Sequence, residues 1–362
     1  MASVYPTHPI IARDELMQCI DQMKVDKAAA AFVYAGAAAT LHCTDEGEDK
    51  MATLRNLVTH AIELMGNALP LDNVSVLKAT SCFFIANCLV AIQDANTAFL
   101  YLRQGVTMIE IMWSNSQMST EPRLRRLYWL AYVHERYQCF SEDRRPILRP
   151  LSAVGLEDND VAPEILIGLA RVVKLFQLID ETFVRCWLNS SHEEAHFTTE
   201  WIEAKCDAFE KDEREANSAC LTITQEADLF ITRHWLLALL WRMSMARGLL
   251  RDLSPEKCFS MLFPLHVSKH LRQMMERIPK EAFQIHGVGI VQKLFELTDT
   301  VADVMLHVPS AALEQLEDYL YLQNVLFGFP HLDAIRRRIV SDKSARILRN
   351  AGSSPYLVDA AS

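Results

Sequence analysis

The chain has 362 residues, half of them apolar and 23% charged, and a formal net charge of −10. This length allows a large hydrophobic core, and the composition excludes an intrinsically disordered chain. The acidic balance disfavours direct binding to nucleic acid, because negative charges repel phosphates. No run of about 20 apolar residues is free of charge, so no membrane span is expected, and the polar N-terminus does not resemble a signal peptide.

Helical patterns fill the chain. Apolar residues recur at spacings of three and four, and the alternation typical of strands is missing. Only 11 glycines and 13 prolines occur, which favours long helices over tight turns. In chain order the predicted helices are 14–23, 27–42, 48–65, 76–92, 96–113, 124–140, 164–188, 200–217, 227–250, 254–277 with an interruption near Pro264, 288–307, 311–327 and 333–348. The sequence therefore predicts an all-α fold, a large array of antiparallel helices without a sheet.

The domain organisation predicted from these patterns is simple. No linker rich in glycine, proline or serine divides the chain. We expect one regulatory-type domain over 1–362, with a division into two lobes, 1–160 and 161–350, left open. The last residues, 351–362, are expected to form a flexible tail.

The most informative segment is 125–150, which reads RRLYWLAYVHERYQCFSEDRRPILRP. Its helix is apolar on nearly every side and yet carries Glu135 and Arg136. Burying a lone charge is very costly, so both residues need partners. Arg144 and Arg145 follow shortly after the helix, and we expect them to be those partners.

Five stretches together carry a family resemblance: 125–150, 4–11 (VYPTHPII), 98–112 (AFLYLRQGVTMIEIM), 231–250 and 285–309. In their order along the chain they resemble the regulatory region of fungal transcription factors of the zinc binuclear cluster class, closest to the amylase and maltose regulator branch. The resemblance implies a regulatory domain that binds a small effector or a co-regulator. In that family the acid–Arg motif is regarded as structural or regulatory rather than catalytic.

The zinc cluster that docks such factors on DNA is not encoded in this chain. None of the nine cysteines forms a C-x2-C pair, so no thiolate–zinc cluster is expected. Either the DNA-binding half was removed, or the natural protein never had it. The odd cysteine count, set mostly in apolar segments, predicts reduced thiols and a location in the nucleus or cytoplasm.

One short motif could suggest a metal site. Residues 192–196 match H-E-x-x-H, the zinc-binding pattern of metalloproteases. Its flanks are polar, whereas a zinc-protease helix lies in the core, so the match is interpreted as a solvated surface element. We therefore expect no metal and no cofactor.

Two helices bunch aromatic side chains with arginine or histidine, the usual composition of a small-molecule site. Packed together, the helices 124–140 and 227–250 would enclose an aromatic-walled cavity with a few polar groups. The alternative is that these aromatics are plain core. The predicted ligand-binding residues are Trp129, Tyr132, Glu135, Arg136, Arg144, Arg145, His234 and Trp241.

Two functions from different classes follow. The first is an effector-sensing domain of a fungal transcription factor, or a stand-alone relative of one, which would not bind DNA by itself. The second is an enzyme of the same fold, an isomerase or cyclase that holds an apolar metabolite in a reactive shape. The sequence identifies no catalytic residue.

Overall fold

The structure is a computed structural model that describes residues 9–10, 13–44, 50–66, 74–114, 121–188, 197–217, 219–250 and 259–352. Over these residues the chain forms fifteen α-helices and no β-strand. The predicted all-α fold is therefore confirmed. None of the described helices is both long and apolar enough to cross a membrane.

The chain divides into two compact units. Unit 1 comprises 1–188 and 215–225, and unit 2 comprises 189–214 and 226–362. The prediction of one domain with lobes at 1–160 and 161–350 stays a prediction, as does the flexible tail, most of which lies outside the described residues.

Unit 1 holds the first eight helices, and its centre is α4. The helices are α1 Arg13–Gln22, α2 Lys27–Thr44, α3 Lys50–Met65, α4 Val76–Ala91, α5 Ala95–Ser114, α6 Pro122–Glu142, α7 Pro163–Gln177 and α8 Glu181–Leu188. Ser75 caps α4 by accepting a hydrogen bond from the backbone N–H of Lys78 at 3.2 Å. Helix α4 is buried nearly all round and packs against α2, α3, α5 and α6. A connection of three residues joins α4 to α5, which makes the two antiparallel neighbours.

Unit 2 holds most of the remaining helices, among which α13 packs against α11, α14 and α15. The helices are α9 Thr199–Asn217, α10 Ile223–Ala246, α11 Phe263–Met275, α12 Lys280–Gln284, α13 Gly287–His307, α14 Pro309–Phe327 and α15 Ala334–Gly352. The last residues of α9 and the first residues of α10 belong to unit 1. Helix α10 ends four residues earlier than predicted, because Gly248 adopts a left-handed conformation with φ of 66°.

The predicted helix 164–188 is wrong in one respect, because the chain breaks it into α7 and α8. The break lies at Leu178–Asp180, where the carboxylate of Asp180 accepts a hydrogen bond from the backbone N–H of Phe183 at 2.9 Å and caps α8. The buried carbonyl of Ile179, left without a helical partner by the break, accepts a hydrogen bond from the Arg136 side chain at 3.3 Å. A long-range partner therefore stabilises a break that the local apolar pattern does not reveal.

The cysteines agree only in part with the expectation of reduced thiols. Among the residues that the structure describes, seven are free, most of them buried: Cys19, Cys43, Cys82, Cys88, Cys139, Cys186 and Cys220. Cys206 is disulfide-bonded, so the expectation is wrong for that residue. Sequence spacing alone does not reveal which thiols a fold brings together.

Candidate functional site

Helix α6 is buried on every side, as its apolar pattern predicts. Trp129 is fully buried, Tyr132 is 1% exposed, and the charged side chains of Glu135 and Arg136 are only 2% and 5% exposed. The chain then leaves the helix at Asp143, whose φ of 52° turns it back. Residues 143–161, here called the strap, contain no helix and return along α6.

Glu135 holds the strap by its backbone. One carboxylate oxygen accepts hydrogen bonds from the N–H groups of Ile147 at 3.1 Å and Leu148 at 2.8 Å. The other oxygen accepts from Ile147 at 3.2 Å and pairs with the guanidinium of Arg103 on α5. Burial raises the pKa of Glu135, and the strap amides and Arg103 act in the opposite direction. The carboxylate thus serves two backbone donors and one cation.

The expected partners of Glu135 are wrong. Arg144 donates to the side chain of Asn96 at 2.8 Å and lies 4.7 Å from the ring centre of Phe99. Arg145 contributes only its backbone carbonyl to the network, which accepts a hydrogen bond from Arg103. The reason is geometric: the strap presents its backbone to Glu135, so the counter-charge has to come from another helix.

Arg136 lies in the same buried region but is not hydrogen-bonded to Glu135. Its guanidinium stacks on Tyr132, 3.3 Å from the ring centre, which is a close cation–π contact. Its side chain also donates to the backbone carbonyls of Ile179 and Leu148, both at 3.3 Å. Burial lowers the pKa of Arg136. Arg136 therefore joins α6 to both the strap and the α7–α8 break.

Two aromatic side chains extend this attachment. The Tyr128 hydroxyl donates to the carbonyl of Arg149 at 2.8 Å, and the Trp129 indole N–H donates to the carbonyl of Val154 at 2.8 Å. Further along the strap, Asp158 pairs with Arg126. As the strap advances from 147 to 158, its contacts move back along α6 from Glu135 to Arg126. The side chains of α6 thus satisfy strap backbone groups that have no secondary-structure partner.

Arg126 is also the point where the first described residues attach. Its side chain is 3% exposed and donates to the carbonyls of Pro9 at 2.5 Å and Ile10 at 3.5 Å. Ile10 itself is 1% exposed. One arginine therefore joins the N-terminal segment, α6 and the strap. Most of the 4–11 stretch quoted for the resemblance lies outside the described residues.

His234 and Trp241 lie on α10, in unit 2. His234 is buried, its Nδ1 is 2.9 Å from the carbonyl of Phe230, and its ring lies 4.2 Å from that of Phe230. Burial lowers the pKa of His234 to about 4, so its imidazole is neutral at pH 7. Trp241 is buried and donates to the carbonyl of Ser260 at 2.8 Å. A pocket shared by these residues and α6 stays a prediction.

The sequence interpretation missed Arg103 and Arg126. Arg103 lies within the 98–112 stretch that contributes to the resemblance, and it is the one basic residue of that stretch. Arg126 belongs to the basic pair at the start of α6, where a surface position was the natural interpretation. In both cases the sequence does not reveal which group, distant along the chain, the arginine contacts in the fold.

The metal expectation stays a prediction. Across the part of the chain that the structure describes, no group of three or more histidine, cysteine or acidic side chains could hold a metal ion. The H-E-x-x-H match at 192–196 lies outside that part.

Comparison with known proteins gives distant relatives among fungal regulators. The chain is 26% identical over 222 residues to the probable sucrose utilization protein of Candida albicans, an alignment that covers 57% of this chain and 42% of the relative. It is 20% identical over 352 residues to the respiratory transcription factor of Saccharomyces cerevisiae, with 91% and 73% covered. A maltose fermentation regulatory protein of the same yeast is 20% identical over 330 residues, with 84% and 66% covered. This chain is related to fungal transcription regulators.

These matches confirm the resemblance predicted from the sequence, and they show that it extends over only part of each relative. The chain spans less than half the length of the sucrose utilization protein and about two thirds of the maltose regulator. No protein-family model matches the chain, and no solved structure matches it.

Proposed function

We propose that this chain is the effector-sensing regulatory domain of a fungal transcription regulator, which binds a small molecule or a co-regulator protein. The observation that carries the proposal is the relatedness to yeast regulators along most of the chain. The net charge of −10 fits a domain that does not bind nucleic acid by itself. A nuclear or cytoplasmic location belongs to the same proposal.

The strap is the element best suited to respond to an effector. It is held by side-chain contacts rather than by a ladder of backbone hydrogen bonds, and those contacts come from a few positions on α6. A ligand that contacts the strap differently in two arrangements would shift the balance between them. In this proposal Glu135 and Arg136 hold the strap, and Arg144 and Arg145 contact a polar group of the effector.

The predicted aromatic residues have a second role in the proposal. Tyr132 is covered by Arg136 and Trp129 donates to the strap, so both link the apolar interior of α6 to the responsive segment. His234 supplies a neutral imidazole, and Trp241 supplies an apolar wall on α10. We propose ligand-contacting roles for Trp129 and Tyr132 within unit 1 and, separately, for His234 and Trp241 within unit 2.

A matched pair of strap variants tests the proposal. Arg145 and Arg149 are both exposed, and both contribute their backbone carbonyls to the attachment, which substitution by alanine keeps. Of these two arginines, Arg145 is proposed to contact the effector and Arg149 is not. The chain is fused to an unrelated DNA-binding module, and reporter output is titrated with maltose and sucrose, the sugars in the relatives' names.

The expected result is that Arg145→Ala raises the half-maximal effector concentration about tenfold, the loss of one charge-assisted contact, whereas Arg149→Ala responds like the parent. Equal responses in the parent and both variants would place the site elsewhere. The alternative function, an isomerase or cyclase acting on an apolar metabolite, is tested separately by incubating the purified protein with apolar fungal extracts. Product formation detected by mass spectrometry would favour it.

A further inference from the structure

The outer face of α15 is basic and partly apolar. Six of its exposed residues share one side of the helix at spacings of three and four: Ile335, Arg338, Ile339, Asp342, Arg346 and Arg349. Ile335 is 74% exposed and Ile339 is 38% exposed. The only carboxylate among them, Asp342, lies 3.7 Å from Arg338. This set is called the basic face below, and it stands out on a protein of net charge −10.

The outer face of α9 has the opposite sign. Four carboxylates follow each other along one side of the helix, with two basic residues at its end; the set is Glu200, Glu203, Asp207, Glu210, Lys211 and Arg214. Arg214 lies 3.7 Å from Glu210, and both are more than half exposed. Ala204 is exposed on the same side and leaves room for a larger apolar side chain. This set is called the acidic face.

The two faces are opposite in charge and similar in length. At a rise of about 1.5 Å per residue, the step from Glu203 to Glu210 spans roughly 10 Å and the step from Arg338 to Arg346 roughly 12 Å. Both faces belong to unit 2. We propose that the basic face of one copy of this chain docks on the acidic face of a second copy. This self-association goes beyond the proposed regulatory function.

The proposed dimer has two-fold symmetry. A two-fold axis repeats each contact, so the basic face of each copy meets the acidic face of the other. A single helix-on-helix contact is smaller than the roughly 800 Å² per partner of a standard interface, and exposed ion pairs are individually weak. The dimer is therefore weak and depends on both contacts. Ile335 and Ile339 add apolar area that lies open in the single chain.

A charge-swap experiment tests the proposal. Salt dependence alone is not decisive, because screening also reduces the repulsion between two chains of net charge −10. The basic face is reversed in Arg338→Glu/Arg346→Glu, and the acidic face in Glu203→Arg/Asp207→Arg. The control for the first variant is Arg13→Glu/Arg55→Glu, which changes the net charge equally at exposed positions on α1 and α3. Circular dichroism melting checks that each variant is folded.

Sedimentation equilibrium of the full chain gives the outcome. The parent and the control should form dimers, and each reversed variant should associate at least about 30-fold more weakly. An equimolar mixture of the two reversed variants should recover the parent's association, because both contacts regain opposite signs. A control chain paired with an acidic-face variant chain has only one attractive contact. These two chains should therefore bind each other much more weakly than the two reversed variants do.

Three results would overturn the proposal. A parent that stays monomeric at every concentration would rule out self-association through the two faces. A reversed variant that dimerises like the parent would place the interface elsewhere. Failure of the mixture to recover association would show that the two faces do not meet.

Discussion

Glu135 and Leu148 are joined by a 2.8 Å hydrogen bond from a buried backbone N–H to a buried carboxylate. This bond explains how an acidic residue persists in a helix that is apolar on all sides. The carboxylate replaces the partner that a strand or helix would give to the strap amides. Its burial is a property of α6 and the strap together.

The first prediction concerns that carboxylate. Glu135→Ala leaves the amides of Ile147 and Leu148 without their acceptor and removes the partner of Arg103, so the free energy of unfolding should fall by roughly 3–5 kcal/mol. Urea denaturation measures the change. Glu142→Ala, at an exposed position near the end of the same helix, should change it by less than about 0.5 kcal/mol. Equal effects of the two variants would contradict the role given to Glu135.

The second prediction concerns pH and His234. Its pKa in the folded chain is about 4, below the ordinary value of 6.5, so the unfolded chain binds the extra proton first. Keeping His234 neutral therefore contributes fully to the free energy of unfolding above pH 6.5. This contribution, about 3 kcal/mol, is lost as the pH falls to 4 and below. His234→Gln should remove this part of the pH dependence. The control His307→Gln, at an exposed position, should retain it. Parallel stability curves for the parent and His234→Gln would refute the assignment.

The third prediction contrasts two helical glycines. A Cβ on Gly168 would lie 2.1 Å from the side-chain nitrogen of Gln225, which donates to the carbonyl of Glu164 at 3.2 Å. Gly168→Ala should therefore destabilise the chain by about 1–3 kcal/mol, despite the better helix propensity of alanine. At Gly36 the added Cβ meets Phe84 at an ordinary 3.9 Å, so Gly36→Ala should stabilise by about 0.5–1 kcal/mol. Thermal melting of both variants checks the opposite signs.

The fourth prediction concerns a buried ion pair in unit 2. Lys293 is 7% exposed and donates hydrogen bonds to Asp228 at 3.2 Å and to Thr232 at 2.6 Å. Burial raises the pKa of Asp228, but the positive charge of Lys293 is the largest of the effects that together lower it to about 2. Lys293→Met strands that carboxylate and should cost about 3–5 kcal/mol. The double variant Asp228→Asn/Lys293→Met should recover at least about 1 kcal/mol of the loss. If the losses caused by the single variants Lys293→Met and Asp228→Asn simply add up in the double variant, the two side chains do not interact.

The helices could be predicted because their signals are local. Pro163 marks the start of α7, and the apolar periodicity of α4 and α6 specifies helices that are buried all round. The α7–α8 break could not be predicted in this way, since Arg136, the hydrogen-bond partner of the Ile179 carbonyl, lies on another helix. The periodicity of apolar residues predicts which residues are buried, but it does not predict which residues they contact.

The candidate site was predictable to the same limit. That Glu135 and Arg136 are buried and need partners follows from the cost of burying charge. Arg144 and Arg145 were expected as partners because they are close in sequence. The actual partner, Arg103, comes from a helix 32 residues earlier. Whether the predicted ligand-binding residues share one site stays a prediction.

Arg126 has a consequence for the order of folding during synthesis. The carbonyl of Pro9 accepts its hydrogen bond from a side chain 117 residues further along the chain. At about 5–20 residues per second, a ribosome adds that donor roughly 6–23 seconds after Pro9 has been made. Asp158, which pairs with the same guanidinium, is made later still. The N-terminal segment is thus among the earliest parts of the chain to be translated and among the later parts of unit 1 to dock.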